Sequence, residues 1–153
     1  MKTTKSLNLS WEEFHRDTRK MASQLMPSNQ WKGIIAITRG GLIPAAIIAR
    51  ELGIRLIDTI CVASYDHTKQ HDINILKRAE GDGDSMLLVD DLADTGNTAI
   101  AVRKLLPKAH FITIYAKPTG RPFIDQFVNE VEQDIWINFP WDTELNFKEP
   151  LVT

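Results

Sequence analysis

The sequence has little of what an exported or membrane-spanning protein needs. Cys61 is its one cysteine among 153 residues, so an internal disulfide is excluded and a reducing cytoplasm is the expected compartment. Apolar residues form no N-terminal run of signal-peptide length, and no stretch approaches the roughly 20 residues that cross a bilayer as a helix. These absences indicate a cytoplasmic protein.

An excess of charge of one sign is also missing. The 18 Lys and Arg residues face 20 Asp and Glu residues, which gives a formal net charge of −2. This balance creates no basic field for nucleic acid or anionic lipid. The length suits one domain with a substantial core, so we expect small-molecule substrates and no nucleic-acid partner.

The stretch from 86 to 105 carries the strongest pattern in the chain. Met86–Val89 is an apolar run too short for a helix, which predicts a strand buried on both faces, as in a parallel sheet. We expect this strand to end at Asp90 and Asp91. Turn and capping residues follow at 94–98, and a helical pattern resumes at 99–105. The order is strand, tight loop and helix.

A loop of this kind is suited to a phosphate. Its N–H groups and the helix dipole point beyond the carboxyl edge of the strand, where an anion is favoured. Gly96 lets the backbone approach the phosphate closely, and Thr95 and Thr98 supply hydroxyl donors. Asn97 is the non-glycine residue that best tolerates a left-handed conformation. The triphosphate-binding pattern G-x-x-x-x-G-K-[ST] is absent.

Three carboxylates beside a phosphate need a separate explanation. Asp90, Asp91 and Asp94 repel one another and the phosphate, unless a cation or a hydroxyl-rich group lies among them. Mg²⁺ held by one carboxylate and by substrate oxygens, with a sugar donating to the other carboxylates, meets both needs. The alternative is that these residues only end a strand and cap a helix, but capping needs one such residue. The pattern therefore predicts a sugar phosphate with Mg²⁺.

A second strand, glycine turn and helix precede this one. Gly33–Thr38 is a short apolar run, Arg39-Gly40-Gly41 follows it, and Pro44 opens a helix through Arg50. We expect the two glycine amides to face an anion and Arg39 to add charge, which suits a pyrophosphate. A plain connecting turn is the alternative. Strands alternate with helices from Gly33 to Ala116, so we predict an α/β domain with a mainly parallel sheet.

Three other segments complete the outline. Ser10 and Glu13 form a capping box that begins a first helix, which Pro27 ends. A long polar connection at 64–83 is typical of a lid or an arm. Phe111–Ala116 reads as a strand, and Lys117 follows it at the sheet edge where the two loops are expected.

Leu87–Thr98 resembles the phosphoribosyl pyrophosphate (PRPP) binding motif of the phosphoribosyltransferases, in which hydrophobic residues precede two acidic residues and a D-T-G-x-T loop. Further segments resemble the bacterial xanthine-guanine phosphoribosyltransferases, so that the similarity covers nearly the whole chain. These segments are 31–36, 38–41, 64–67, 76–83, 136–137 and 140–142. Asn97 departs from the pattern, since a second glycine is frequent there.

The resemblance implies a type I phosphoribosyltransferase fold. Residues 1–153 would form a single domain, with helices flanking a mainly parallel central sheet and a small C-terminal hood at roughly 117–153. The implied activity belongs to purine salvage: transfer of the 5-phosphoribosyl group of PRPP to N9 of guanine or xanthine, and more weakly hypoxanthine. The products would be GMP, XMP or IMP and pyrophosphate, and Mg²⁺ would be the cofactor.

The resemblance also implies the site residues. Asp91 would hold the metal, and the region at 64–83 would be a mobile loop over PRPP. PRPP binding is assigned to Arg39, Gly40, His71, Asp90, Asp91, Leu92, Ala93, Asp94, Thr95, Gly96, Asn97 and Thr98.

Purine binding is assigned to Asp94, Lys117, Trp136 and Ile137. Asp94 would be catalytic, taking the purine N7 proton, and Lys117 would donate to the 6-oxo group. The ring of Trp136 would stack on the base, and the carbonyls of Trp136 and Ile137 would accept from its edge.

Two alternatives use the same parts. A hypoxanthine-preferring enzyme differs only in its kinetics, and a regulator of this fold binds PRPP or nucleotides without transfer. Such regulators usually carry a nucleic-acid-binding module or lack the hood. The resemblance further implies a homotetramer and an association with the inner face of the bacterial inner membrane as a peripheral protein.

Overall fold

The computed structural model describes residues 5–65, 72–142 and 151. Two short 3-10 helices lie at Ser28–Gln30 and Arg121–Phe123. The helices are α1 (Trp11–Gln24), α2 (Leu42–Leu52) and α3 (Asn97–Leu105). The strands are β1 (Ser6–Asn8), β2 (Gly33–Thr38), β3 (Ile57–Tyr65), β4 (Asp72–Lys77), β5 (Met86–Ala93), β6 (His110–Ala116), β7 (Asn129–Glu130) and β8 (Trp136–Asn138).

Six strands form the main sheet in the order β4-β3-β2-β5-β6-β7. Every neighbouring pair is parallel except β3 and β4, which are antiparallel. The predicted α/β fold with a mainly parallel sheet is therefore confirmed. A second, two-stranded sheet joins β1 to β8 in parallel. The sequence pattern did not indicate this sheet, because a strand of three residues is too short to show a period.

The central strands are apolar on both faces because helices cover both sides of the sheet. Ile34 and Leu87 point to the side of α1 and α2, whereas Ile35 and Leu88 point to the side of α3. All four side chains have zero solvent exposure. Neighbouring residues of a strand face opposite ways, so short continuous apolar runs fill two cores.

The first helix begins as predicted. Ser10 Oγ accepts a hydrogen bond from Glu13 N at 3.1 Å, which satisfies one of the free N–H groups of the first turn. Phe14 and Met21 are fully buried against the sheet, and the helix ends at Gln24, before Pro27. This anchors α1 across the sheet face beside α2.

Strand β5 is longer than the sequence predicted. Instead of ending at Asp90, it continues to Ala93, because β6 pairs with it in register from Leu87 onward and supplies backbone partners whatever the side chains are. Asp90 is paired with Thr113 in this register. As successive strand residues, Asp90 and Asp91 therefore lie on opposite faces of the sheet edge.

The polar connection at 64–83 is partly a β-hairpin, since β4 returns antiparallel to β3. Asp58 stabilises the open end of this hairpin. Its carboxylate accepts hydrogen bonds from the backbone N–H groups of Thr59 and Glu80 and from Lys77 Nζ. Residues 66–71, which include His71, lie outside the described residues. Among the helices that the structure describes, none has the length and apolar character to cross a bilayer.

Candidate active site

The two loops that the sequence predicts to bind anions lie at the point where the strand order of the sheet reverses. The chain passes from β2 to β3 on one side and later to β5 on the other side of β2. At such a point the connections leave in opposite directions and open a crevice at the carboxyl ends of the strands, which is where ligands bind in open α/β sheets. The loops after β2 and β5 both lie at this crevice.

The loop after β5 encloses a cavity of about 80 Å³. Gly96 has φ 91° and ψ −1°. This left-handed conformation costs free energy for every residue that has a Cβ, but not for glycine. Asn97 is the first residue of α3, so the left-handed position falls on Gly96 and not on Asn97. The lining residues are Asp90, Leu92, Ala93, Asp94, Thr95, Gly96, Asn97, Thr98, Ala99 and Phe111.

Phe123 covers this loop from outside and was missed by the sequence analysis. A Cβ built on Gly96 would collide with the Phe123 ring, which is 40% exposed. Gly96 is thus required twice, by its positive φ and by this contact. No sequence signal indicated the contact, because Phe123 lies 27 positions away in a short 3-10 helix after β6.

The loop after β2 touches the end of β5. A Cβ on Gly40 would lie 2.6–2.7 Å from the carboxylate atoms of Asp91, so glycine is needed for this close approach. The expectation that both glycine amides face an anion is wrong for Gly41, whose N–H donates to Ile37 O at 2.7 Å and thereby begins the turn into α2. The peptide bond between Thr38 and Arg39 is cis.

Carboxylates crowd this part of the crevice. Burial and the negative charge of Asp91 raise the pKa of Asp90 well above its ordinary value. Burial also raises the pKa of Asp91 to about 6, and the negative charge of Asp142 adds to the effect. Burial raises the pKa of Asp142 as well, while the charge of Arg39 opposes this shift. Asp142 therefore belongs to the same cluster of carboxylates, which its sequence position did not indicate.

This donor set fits a divalent cation that is shared with a substrate. Within the described ranges, no group of three or more His, Cys, Asp or Glu side chains could hold a metal by itself. Mg²⁺ suits such a site, since it prefers oxygen ligands and commonly takes one or two carboxylates plus substrate phosphate oxygens. Asp91 lies beside Gly40, so its carboxylate is close to both of the loops that the sequence predicts to bind anions.

Lys117 and Asp94 meet at the other side of the β5 loop. Lys117 is 4% exposed, and its backbone N–H donates to Ala93 O at 2.9 Å. Its Nζ lies 3.3 Å from Asp94 Oδ2, and the Asp94 side chain is 46% exposed. The structure thus brings together two of the four residues that the resemblance assigned to the purine.

Gln133 is a further residue at Asp94 that the sequence did not indicate. Its Nε2 donates to Asp94 Oδ1 at 2.9 Å and to Asp94 O at 3.3 Å. Its Oε1 accepts from Thr119 N at 2.9 Å. This one amide joins the β5 loop, the loop after β6 and the segment between β7 and β8.

Trp136 and Ile137 lie on β8, in the small sheet. The Trp136 side chain is 62% exposed, and its indole N–H donates to Asn138 Oδ1 at 3.0 Å. Asn138 Nδ2 in turn donates to Asn8 Oδ1 at 2.6 Å, so the N-terminal strand helps to orient the indole. Ile137 is 6% exposed and packs in the core with its side chain.

Comparisons with known proteins agree with this geometry. Residues 9–148 match the family model described as phosphoribosyl transferase domain. The chain is similar to a purine phosphoribosyltransferase from Pyrococcus horikoshii, with 26% identity over 97% of this chain and 98% of that chain and a TM-score of 0.77.

Two other solved structures share the fold. A xanthine-guanine-hypoxanthine phosphoribosyltransferase from Helicobacter pylori has 23% identity over 90% of this chain and 94% of that chain, with a TM-score of 0.72. A hypothetical protein from Neisseria gonorrhoeae with bound ppGpp has 22% identity over 94% of this chain and 92% of that chain, with a TM-score of 0.72.

Proposed function

This chain belongs to the phosphoribosyl transferase domain family, and from that premise we propose that it is a purine-salvage enzyme. The proposed reaction moves the 5-phosphoribosyl group of PRPP to N9 of guanine or xanthine, and more slowly to hypoxanthine. GMP, XMP or IMP and pyrophosphate are the products. The contact between Lys117 and Asp94 carries the proposal, because it joins a buried cation to the loop that matches the PRPP motif.

PRPP would span the two loops of the crevice. The loop at 94–98 takes the 5′-phosphate on its N–H groups and hydroxyls, in the cavity of about 80 Å³ that it lines. Asp90 and Asp91 accept from the ribose hydroxyls at the end of β5. Arg39 and the Gly40 amide hold the pyrophosphate, which a bidentate guanidinium suits.

Asp91 is the proposed protein ligand of Mg²⁺. A Mg²⁺ ion held there would supply positive charge to the leaving pyrophosphate. His71 is proposed as a further pyrophosphate contact.

Asp94 is the proposed catalytic residue. The C1–O bond to pyrophosphate breaks while the C1–N9 bond to the purine forms, and the sugar passes through an oxocarbenium-like state. Asp94 accepts the proton of purine N7, which makes N9 the better nucleophile. Its carboxylate also favours the positive charge that develops on the sugar.

Base selection is proposed to rest on Lys117. An ammonium group only donates hydrogen bonds, so it accepts a 6-oxopurine and opposes the 6-amino group of adenine. The exposed ring of Trp136 offers a stacking face for the base. The backbone carbonyls of Trp136 and Ile137 are proposed to accept from the purine edge and to favour bases with a group at C2.

Initial rates of pyrophosphate release test the proposal, with PRPP and Mg²⁺ and each of guanine, xanthine, hypoxanthine and adenine. Fast turnover of guanine and xanthine, slower turnover of hypoxanthine and none of adenine is expected. If hypoxanthine reacted fastest, the proposed base specificity would be wrong, whereas the proposed PRPP site would stand. PRPP binding without turnover of any base would instead favour a regulator.

Three properties implied by the resemblance are proposed with it. Residues 1–153 form one domain, with the hood at roughly 117–153, and one cooperative unfolding transition tests this. A homotetramer is tested by light scattering. A cytoplasmic location with peripheral association to the inner face of the inner membrane is tested by flotation with anionic lipid vesicles.

A further inference from the structure

We infer that Gln133 is a positioning residue of the base site, which holds the Asp94 carboxylate in place when Lys117 turns to the purine. The inference rests on the proposed function, because it concerns how Asp94 performs its proton-accepting role. Gln133 contacts Asp94 and not the reacting atoms. Its effect on turnover would therefore pass through that carboxylate.

The orientation of the Gln133 amide is fixed by its partners. The backbone N–H of Thr119 can only donate, so the atom 2.9 Å away from it must be the amide oxygen. The NH₂ group then faces Asp94, where it meets two acceptors, Oδ1 at 2.9 Å and the backbone oxygen at 3.3 Å. Gln133 thus holds both the side chain and the main chain of Asp94.

The two carboxylate oxygens of Asp94 have different partners. Gln133 occupies Oδ1 and Lys117 Nζ approaches Oδ2 at 3.3 Å. When a 6-oxopurine binds, the ammonium must serve the oxo group, and Oδ2 becomes open to the N7 proton. The Gln133 amide has no such second task and stays on Oδ1. This division assigns proton acceptance to Oδ2.

Without Gln133 the carboxylate would be free to follow the ammonium. Opposite charges attract more strongly where water is excluded, as at the buried Lys117. Asp94 and Lys117 would therefore form a tighter ion pair than the present contact of 3.3 Å. Asp94 would then turn away from N7, and Lys117 would be held back from the oxo group. Misplacement of a catalytic group by about 1 Å costs on the order of 100-fold in rate.

Stability does not explain these hydrogen bonds. Gln133 is exposed, and water replaces neutral hydrogen bonds at exposed groups with little net change in folding free energy. A Gln133→Met variant, which keeps the side-chain length and removes both polar atoms, should therefore fold with nearly the wild-type Tm. A large kinetic effect in a variant of unchanged stability separates positioning from a structural role.

Gln126→Met is the matched control. The Gln126 amide also has partners on both atoms, His110 and Gln24, but at the opposite edge of the sheet, near the start of β6. We expect kcat with guanine to fall roughly 10- to 100-fold in Gln133→Met and less than about twofold in the control. The KM for PRPP should change less than about twofold in both variants, because the phosphate and pyrophosphate loops are untouched.

A double-mutant cycle tests the route through Asp94. In an Asp94→Ala background the carboxylate is gone, so adding Gln133→Met should lower kcat by less than about twofold. An unchanged kcat in the single variant would overturn the inference, as would an equal further loss in the Asp94→Ala background. A wild-type protein that transfers to no purine would instead overturn the proposed function, and this inference with it.

Discussion

Lys117 Nζ lies 3.3 Å from Asp94 Oδ2, although the two residues are 23 positions apart and follow different strands. The Lys117 side chain is 5% exposed, whereas the Asp94 side chain is 46% exposed. A group that enters from solvent therefore meets Asp94 before the ammonium. In the proposed reaction this ion pair is the resting state, and its two residues separate when a base binds.

Replacing Lys117 by Ala should relax the selection of 6-oxopurines. The ammonium that donates to an oxo group and opposes a 6-amino group would be lost. We expect kcat/KM for guanine to fall about 100-fold, and the ratio of guanine to adenine to shrink by at least about 10-fold. Lys104→Ala, at an exposed lysine of α3, is the control. A variant that still rejects adenine as fully as wild type would place base selection elsewhere.

Replacing Asp94 by Asn should lower turnover far more than it raises the KM for PRPP. The amide keeps the shape of the side chain but cannot accept the N7 proton, so kcat is expected to fall about 100-fold or more. Asp134→Asn, at an exposed aspartate of the hood, controls for the loss of a nearby charge. Turnover at the wild-type rate would remove Asp94 from the chemistry.

Replacing Asp91 by Asn should stabilise the fold while it weakens Mg²⁺-dependent PRPP binding. Because burial raises the pKa of Asp91 to about 6, the folded protein binds its proton more tightly than the unfolded chain does. Stability from this group is present below about pH 4 and is lost as the pH rises through about 6. At pH 8 the variant should gain about 1 to 3 kcal/mol in the free energy of unfolding.

Denaturant unfolding in EDTA at pH 5 and pH 8 measures this difference. EDTA keeps divalent cations from offsetting the charge of the wild-type carboxylate. The advantage of the variant should be roughly half as large at pH 5, which lies between the two pKa values, as at pH 8. An equal advantage at both pH values, or a less stable variant at pH 8, would show that Asp91 is not a destabilising buried charge.

Much of the fold and the position of the loop after β5 were predictable because the signals are local. A buried apolar run, a glycine turn and a helical pattern are adjacent in sequence, so β2, β5 and the two crevice loops follow from their own residues. Ser10 likewise caps α1 through Glu13, three residues away. Parallel strands then place the ends of these elements at one edge.

The remaining site contacts depend on tertiary structure. Gln133 and Phe123 reach the β5 loop from segments that follow β6, and Asp142 approaches Asp91 from beyond β8. No local pattern marks Gln133 or Phe123, and Asp142 lies in a segment that carries the family resemblance without a sign that it approaches Asp91. Strand β5 also runs past Asp90 because β6 pairs with it, which no propensity of Asp90 or Asp91 would suggest.

Gly96→Ala should destabilise the loop at 94–98 by more than the backbone cost of a left-handed alanine. Gly53 is the matched control, since it has φ 66° but nothing within 4 Å of a built Cβ. Both changes carry the backbone cost of roughly 1 to 2 kcal/mol, and Gly96→Ala adds a clash with Phe123 of about 1 to 3 kcal/mol. We expect the KM for PRPP to rise at least about 10-fold in Gly96→Ala alone.

Combining Gly96→Ala with Phe123→Ala tests the source of this effect. Removing the ring removes the clash and leaves the backbone cost, so part of the lost stability and PRPP affinity should return. The readouts are the free energy of unfolding and the KM for PRPP. No recovery in the double variant would mean that the Phe123 ring does not limit residue 96.

A crystal structure of the protein with GMP is the most direct test of the site. The phosphate should lie in the loop at 94–98, with Lys117 Nζ about 3 Å from the purine O6. Asp94 Oδ2, which keeps the proton that it took from the base, should donate to N7 at a similar distance. Gln133 should still contact Asp94 Oδ1. A phosphate bound away from this loop, or a Lys117 that remains on Asp94 with the base elsewhere, would contradict the proposed function.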